Sequence, residues 1–200
     1  MRAFIAIPFP GKIINQLAKQ METFRSASGS SLKQDSAKWV DPDGIHLTLK
    51  FLGEIDAAKT QQVITALIPP GNFQSMTLEV RGFGCFPDCK RPRVFWAGVV
   101  APPALRDLAG RIDAAMTKLG FPSDGRPFSP HLTLARFSGG QPQPWLKSAV
   151  REPGEWTSGR FEICEFCLFE SQLSPGAPAR YHRFASFARP AQKAQPTQQI

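Results

Sequence analysis

Apolar and polar residues alternate between two rhythms along this chain. Short, nearly continuous apolar runs read as buried strands, and longer stretches of 3.6-residue period read as helices. Arg2–Ile7 is the first such run, broken by Pro8 and Pro10 and followed by a helical stretch over Ile13–Phe24. Arg93–Val100 repeats the theme: Pro102 and Pro103 break it, and Ala104–Leu119 follows with Leu105, Leu108, Ile112 and Met116 at helical spacing. Helices are also predicted over Ala57–Leu67 and Pro144–Val150, and strands over Met76–Gly84, Arg160–Glu170 and Tyr181–Phe187. Proline-rich loops at Pro69–Gly71, Pro102–Pro103, Pro122–Pro130 and Pro175–Pro178 separate the elements. From Arg189 onward the chain is polar and rich in Ala, Gln and Pro, the composition of a disordered tail over 189–200.

Each helical stretch leads to the same tetrapeptide, His-Leu-Thr-Leu, at His46–Leu49 and again at His131–Leu134. The element order is therefore β-α-β-α-β, repeated once, with repeats of about 1–88 and 89–188. This predicts an α+β fold: two pseudo-symmetric lobes whose antiparallel sheets face a central cleft, packed as a single domain over 1–188.

In a strand, residues i and i+2 share a face. His46 and Thr48 then point one way, while Ile45, Leu47, Leu49 and Phe51 point to the core. His131 and Thr133 repeat the pattern against Leu132 and Leu134. Lys50 falls on His46's face and is a further electrostatic candidate. An imidazole can transfer a proton near neutral pH, and a threonine hydroxyl can donate to a phosphoryl oxygen. Two such pairs around one anion would form a site of two halves. The competing account is a relic of duplication with both copies idle. The shared position in the repeat, and the use of two of only three histidines, favour a site.

Composition narrows the alternatives. The formal charge of +8 suits a phosphate-rich partner, although a plain basic surface explains it equally well. No apolar run is long enough for a membrane span, and the N-terminal run is too short and too proline-broken for a signal peptide, so a cytoplasmic protein is expected. Cys85, Cys89, Cys164 and Cys167 only faintly resemble a zinc site, and reduced, partly buried thiols are the expected state. No ligand-spaced partner stands beside either motif histidine, which argues against a metal. The chain also lacks a Gly-x-Ser-x-Gly elbow and a nucleotide-binding glycine loop.

The chain resembles the 2H phosphoesterase superfamily and, within it, the RNA 2′,3′-cyclic phosphodiesterase (2′-5′ RNA ligase, LigT/ThpR-like) branch. The residues that carry the resemblance are the opening Met1–Pro8, Lys38–Val40 before Ile45–Gly53, Phe86–Pro87, Arg91–Val94 with Trp96–Val99, Pro127–Arg136, Leu168–Ser171 and Ala179–Tyr181. The resemblance implies metal- and cofactor-independent opening of RNA 2′,3′-cyclic phosphate ends to 2′-phosphomonoesters. It implies His46 as proton donor, His131 as proton acceptor, and Thr48, Thr133 and Arg136 as substrate-binding residues. Strict alternation turns Arg136 away from His131, so a bulge or the strand's end is needed to bring it round. Phe9, Phe121 and Phe128 are candidates for stacking on a base, against the plainer reading of core packing. The expected partners are RNA or nucleotides with cyclic ends, tRNA halves among them, acting on a monomer. ATP-independent 2′-5′ ligation at the same site, and RNA binding without catalysis, remain the alternatives.

Overall fold

A computed structural model describes residues 1–28, 37–138, 142–150, 156–172 and 179–188. These contain strands β1 (Arg2–Pro8), β2 (Ala37–Trp39), β3 (His46–Glu54), β4 (Met76–Phe86), β5 (Val94–Val100), β6 (His131–Phe137), β7 (Thr157–Ile163), β8 (Glu165–Gln172) and β9 (Arg180–Ala188). The helices are α1 (Gly11–Ser28), α2 (Ala57–Gly71), α3 (Pro103–Lys118) and α4 (Pro144–Val150). These strands pair antiparallel, in the order β7-β4-β5-β6-β3-β1-β8-β9, with β2 pairing alongside β6.

Local chemistry explains most of these elements. Ala3 to Ile7 are buried without interruption because β1 has a strand on each side and is covered on both faces. The buried stripe of α1 is Ile13, Leu17, Met21 and Phe24, and that of α3 is Leu105, Leu108, Ile112 and Met116. Asp56 caps α2 by accepting from the Lys59 amide at 2.7 Å, and Pro103 opens α3 where its missing N–H costs no bond. Helices α1 and α4 pack together over the β4 and β7 half, while α2 and α3 pack together over the β3, β8 and β9 half.

The structure departs from the sequence reading in several places. The lobes are not two separate sheets but halves of one, joined where Leu47 pairs with Leu132. The single strand expected over Arg160–Glu170 is two, broken at exposed Cys164; β7 pairs with β4 at one end of the sheet, and β8 pairs with β1 in the other half. The repeats of about 1–88 and 89–188 consequently do not coincide with the halves. β4, which closes the first repeat, pairs with β5 of the second, and β8, which closes the second, pairs with β1 of the first. A continuous apolar run cannot announce that its hydrogen-bonding partner changes halfway. The loop expected at Pro69–Gly71 is the last turn of α2, where Leu67, Pro70 and Gly71 are buried and Gly71 lies against Phe187. Packing there overrides the helix-breaking tendency of proline. The loop at Pro175–Pro178 and the tail at 189–200 lie outside the described residues.

Lys50 is a further correction. Between β1 and β3 the register slips, Ala6 pairing with Thr48 but Ile5 with Lys50, so Leu49 is an extra residue and the alternation reverses after it. Lys50 therefore enters the core face, only 2% exposed, and Phe51 emerges on His46's face, 66% exposed. The Lys50 ammonium donates to Asp113 Oδ1 at 2.6 Å and to the Pro122 carbonyl at 2.7 Å, and it lies 3.2 Å from Asp124 Oδ2. Asp113 also accepts from Ser123 Oγ at 2.7 Å. Strand β3, helix α3 and the loop leading to β6 are thus fastened at one buried cation by two hydrogen bonds and a further ion pair.

Replacing Lys50 with Ala leaves two carboxylates without their cation. It is expected to lower unfolding stability by about 3 kcal/mol, read as a lower urea midpoint at unchanged slope. A loss within experimental error would show that the network contributes nothing net.

Candidate active site

The two motif strands lie side by side. Leu47 pairs with Leu132 in an antiparallel register, the one registered pair between β3 and β6 among the described residues. Continuing that register sets His46 across from Thr133 and Thr48 across from His131. Residues on either side of a paired position share the opposite face of the sheet. The leucines are 1% and 0% exposed, and the two histidines and two threonines are half-buried on the other face. The structure thus brings His46, Thr48, His131 and Thr133 into one group. No hydrogen bond engages either threonine hydroxyl among the described residues.

Both imidazoles are held the same way. His46 Nδ1 lies 2.7 Å from the Gly44 carbonyl, and His131 Nδ1 lies 2.8 Å from the Ser129 carbonyl. A carbonyl can only accept, so Nδ1 carries the proton and Nε2 is left available on each ring. The carbonyl for His46 comes from a short 3₁₀ turn, Pro42–Gly44, capped by Asp41, whose Oδ1 accepts from the Asp43 amide at 3.1 Å. Gly44 gives Tyr181 room there: a Cβ would meet Tyr181 Cε2 at 3.1 Å, so the ring would have to shift by a few tenths of an ångström.

Aromatic rings hold the imidazoles laterally. His46 packs against Phe4 (centroids 4.6 Å apart) and receives Tyr181 edge-on at 5.0 Å. His131 receives Phe86 edge-on at 5.0 Å, with Trp96 at 6.5 Å. The Trp96 indole lies over Gly84, where any Cβ would collide with it.

Of the two routes that alternation left open, a bulge is the one that turns Arg136 to the cleft face. Phe95 pairs with Ala135 but Trp96 with Thr133, so Leu134 is the extra residue in β6. Leu134 and Ala135 are both buried and Arg136 is exposed. The two bulges occupy the same place in the two repeats, at the fourth residue of each tetrapeptide. Beyond them the repeats differ: the first presents Phe51 and the second presents Arg136. Phe51 is the cleft residue that alternation assigned to the core; the adjacent buried lysine gives no sign of the reversal without the register. Phe9, Phe121 and Phe128 are half-buried against the core, in line with the packing reading, and Phe9 meets Phe161 at 5.0 Å.

The asymmetry has an electrostatic effect. Burial, aided by the Arg136 charge, pushes His46 down to about 4 even though its bond to the Gly44 carbonyl acts the other way. In the free protein His46 is therefore neutral at physiological pH.

Among the described residues, no group of three or more His, Cys, Asp or Glu gathers to hold a metal ion, and no helix is long and apolar enough to cross a membrane. Two other surface hollows, of about 420 and 360 Å³, contain no motif residue.

Comparison with known proteins bears on the family and the fold. The sequence profile of the 2′-5′ RNA ligase superfamily matches residues 15–174. A protein of Aquifex aeolicus named RNA 2′,3′-cyclic phosphodiesterase is 32% identical over 182 residues, covering 89% of this chain and 92% of its own length. One of the same name from Methanothermobacter thermautotrophicus is 28% identical over 179 residues, covering 89% and 94%. Among solved structures, TT0787 of Thermus thermophilus superposes with a TM-score of 0.75 at 27% identity, over 94% of this chain and 98% of its own. E. coli LigT complexed with 3′-AMP superposes with a TM-score of 0.73 at 26% identity, over 94% and 97%. With its paired motifs in one cleft and a matching profile over most of its length, this chain belongs to the 2′-5′ RNA ligase superfamily.

Proposed function

We propose that this protein hydrolyses the 2′,3′-cyclic phosphodiester at RNA ends to a 2′-phosphomonoester, using His46 and His131 as an acid–base pair. The observation that carries the reading is the matched anchoring of the two imidazoles. Each gives its Nδ1 proton to a backbone carbonyl two residues earlier and keeps Nε2 for chemistry, with a threonine of the other motif across from it. Relatives that share about 30% of their residues over most of the chain carry the name of this activity, which supports the substrate class.

Opening the cyclic ester needs water to lose a proton and the departing oxygen to gain one. His131 Nε2 accepts the proton from water as it attacks phosphorus. His46 protonates the 3′ oxygen as its bond to phosphorus breaks. Because burial and Arg136 keep His46 neutral in the free protein, it takes up its proton when the anionic phosphate arrives and offsets the cost of charging the ring. Thr48 and Thr133 donate to the non-bridging oxygens, and Arg136 balances the charge that accumulates on them. The exposed face of Phe51 offers a surface for the terminal base. The superfamily's description as 2′-5′ RNA ligase favours a second reading, in which a 5′-hydroxyl end replaces water and the same two imidazoles open the ring with that oxygen as the nucleophile.

His46→Ala and His131→Ala are each expected to cost about 10²–10⁴-fold in kcat/KM on a 2′,3′-cyclic nucleotide, with turnover by the wild type persisting in excess chelator. Near-wild-type rates in either variant would remove the paired-histidine mechanism, and product carrying a 3′-phosphate would reverse the assigned direction of opening. Supplying a 5′-hydroxyl oligonucleotide and looking for joined product separates ligation from hydrolysis.

The titration of His46 is a second test. Its folded value of about 4 lies below the ordinary value of 6.5. Between those values the unfolded chain binds a proton that the folded chain refuses, so stability falls as pH drops from 6.5 toward 4. His46→Gln should flatten that part of the Tm–pH curve. By NMR, the His46 ring should titrate near 4 in the free protein and at higher pH both in Arg136→Gln and with sulfate bound. A ring that titrates at its ordinary value in the free protein would contradict the role given to burial.

A further inference from the structure

The strongest unexplained feature outside the motif cluster is a pair of like charges. Lys38 on β2 pairs directly with Arg136 on β6. Flanking residues alternate away: Ala37 pairs with buried Phe137, and Trp39 pairs with buried Ala135 and packs on Trp145. Lys38 and Arg136 therefore share the cleft face, and both are exposed. Like charges directly opposite on one face of an antiparallel pair repel. Among the described residues no carboxylate forms an ion pair with either one. An anion held between or beside them would relieve the repulsion.

Position decides which anion. Arg136 lies three residues along β6 from Thr133, one of them absorbed by the bulge at Leu134, so the Lys38–Arg136 row stands roughly 7–10 Å of strand away from the motif threonines. Arg136 is long enough to act back toward the cluster, as its influence on His46 shows. Lys38 stands one strand further out, past the end of the β3–β6 contact. An RNA chain whose cyclic end lies at the motifs carries its next phosphate one nucleotide back, on the 5′ side of the terminal nucleoside.

We infer that Lys38 binds this second phosphate, an internal phosphodiester of the substrate, and so makes the cleft select oligonucleotides over mononucleotides. The inference rests on the proposed reaction at the motifs and adds a substrate length to it: at least two nucleotides. Among the described residues the second repeat has no equivalent of β2, so the subsite lies on one side of the pseudo-symmetric cleft and gives the RNA a direction across it.

The test compares Lys38→Ala with wild type on three substrates: a 2′,3′-cyclic mononucleotide, a dinucleotide ending in the same cyclic phosphate, and that dinucleotide with a neutral methylphosphonate at the internal linkage. The dinucleotide-to-mononucleotide ratio of kcat/KM should fall about fivefold in the variant, the scale of one exposed ion pair. The methylphosphonate substrate should show no such change. The salt dependence of log KM for the dinucleotide should become shallower by about 0.7, the share of one phosphate contact on a single strand. Because Lys38 is exposed and its removal ends a repulsion, the variant's Tm should equal or exceed the wild type's. An unchanged ratio overturns the inference, as does an equal loss on all three substrates, which would place Lys38 at the cyclic phosphate itself. Absence of turnover on every substrate by the wild type would instead remove the proposed reaction, a failure distinct from that of the subsite.

Discussion

Everything in the cleft depends on one contact, the pairing of Leu47 with Leu132. Two strands that meet at a single registered pair place little demand on the rest of their length, so β3 and β6 can each belong to their own half of the sheet and still align their polar faces. The leucines, almost wholly buried, fix the register by hydrophobic burial, and a slip of one residue would turn both histidines into the core. Catalytic polarity is thus held in place by apolar packing on the reverse of the same strands. The exchange of β4 and β8 between repeats reinforces the contact, since neither half can form completely without a strand from the other repeat.

The second constraint is the pair of bulges, one at the fourth residue of each tetrapeptide. Each adds one residue and reverses the alternation, and the results are opposite in kind. In β3 the reversal buries Lys50 and exposes Phe51; in β6 it buries Ala135 and exposes Arg136. A lysine enters the core at the first site only because Asp113, Asp124 and the Pro122 carbonyl surround its ammonium. Those partners lie on α3 and on the loop that ends at His131, so this buried cation links the first motif strand to the approach of the second motif.

These cases show where sequence reading succeeds and where it stops. The strand-and-helix rhythm, the repeat and the inward-facing leucines were legible because burial imposes periodicity directly on residue type. The motif faces were legible up to Leu49 and Leu134, because alternation holds until a bulge. At Arg136 strict alternation conflicts with a place on the motif face, and that conflict signals a bulge or a strand end. At Leu49 no such conflict exists, so alternation places Lys50 and Phe51 on each other's faces. The division of 160–170 into β7 and β8 was illegible for a related reason. Both halves of that run are apolar enough to be strands, and which neighbour each one bonds is a property of the whole sheet rather than of the run.

The same logic bears on how two look-alike histidines come to differ. Their anchoring is nearly identical, a carbonyl two residues back at 2.7 and 2.8 Å, so the local sequence supplies no distinction. The distinction comes from residues beyond the bulges and on neighbouring strands. His46 is enclosed by Phe4 and Tyr181 and feels Arg136, while His131 borders Phe86 and Trp96. A duplicated unit would begin with two equivalent imidazoles. Burial first, with the Arg136 charge adding to it, biases His46 toward its neutral form. A bound anion acts against that bias, because it favours the proton on the buried ring that the free protein keeps neutral. Charge on the substrate, rather than a difference between the two motifs, then determines when His46 can serve as an acid.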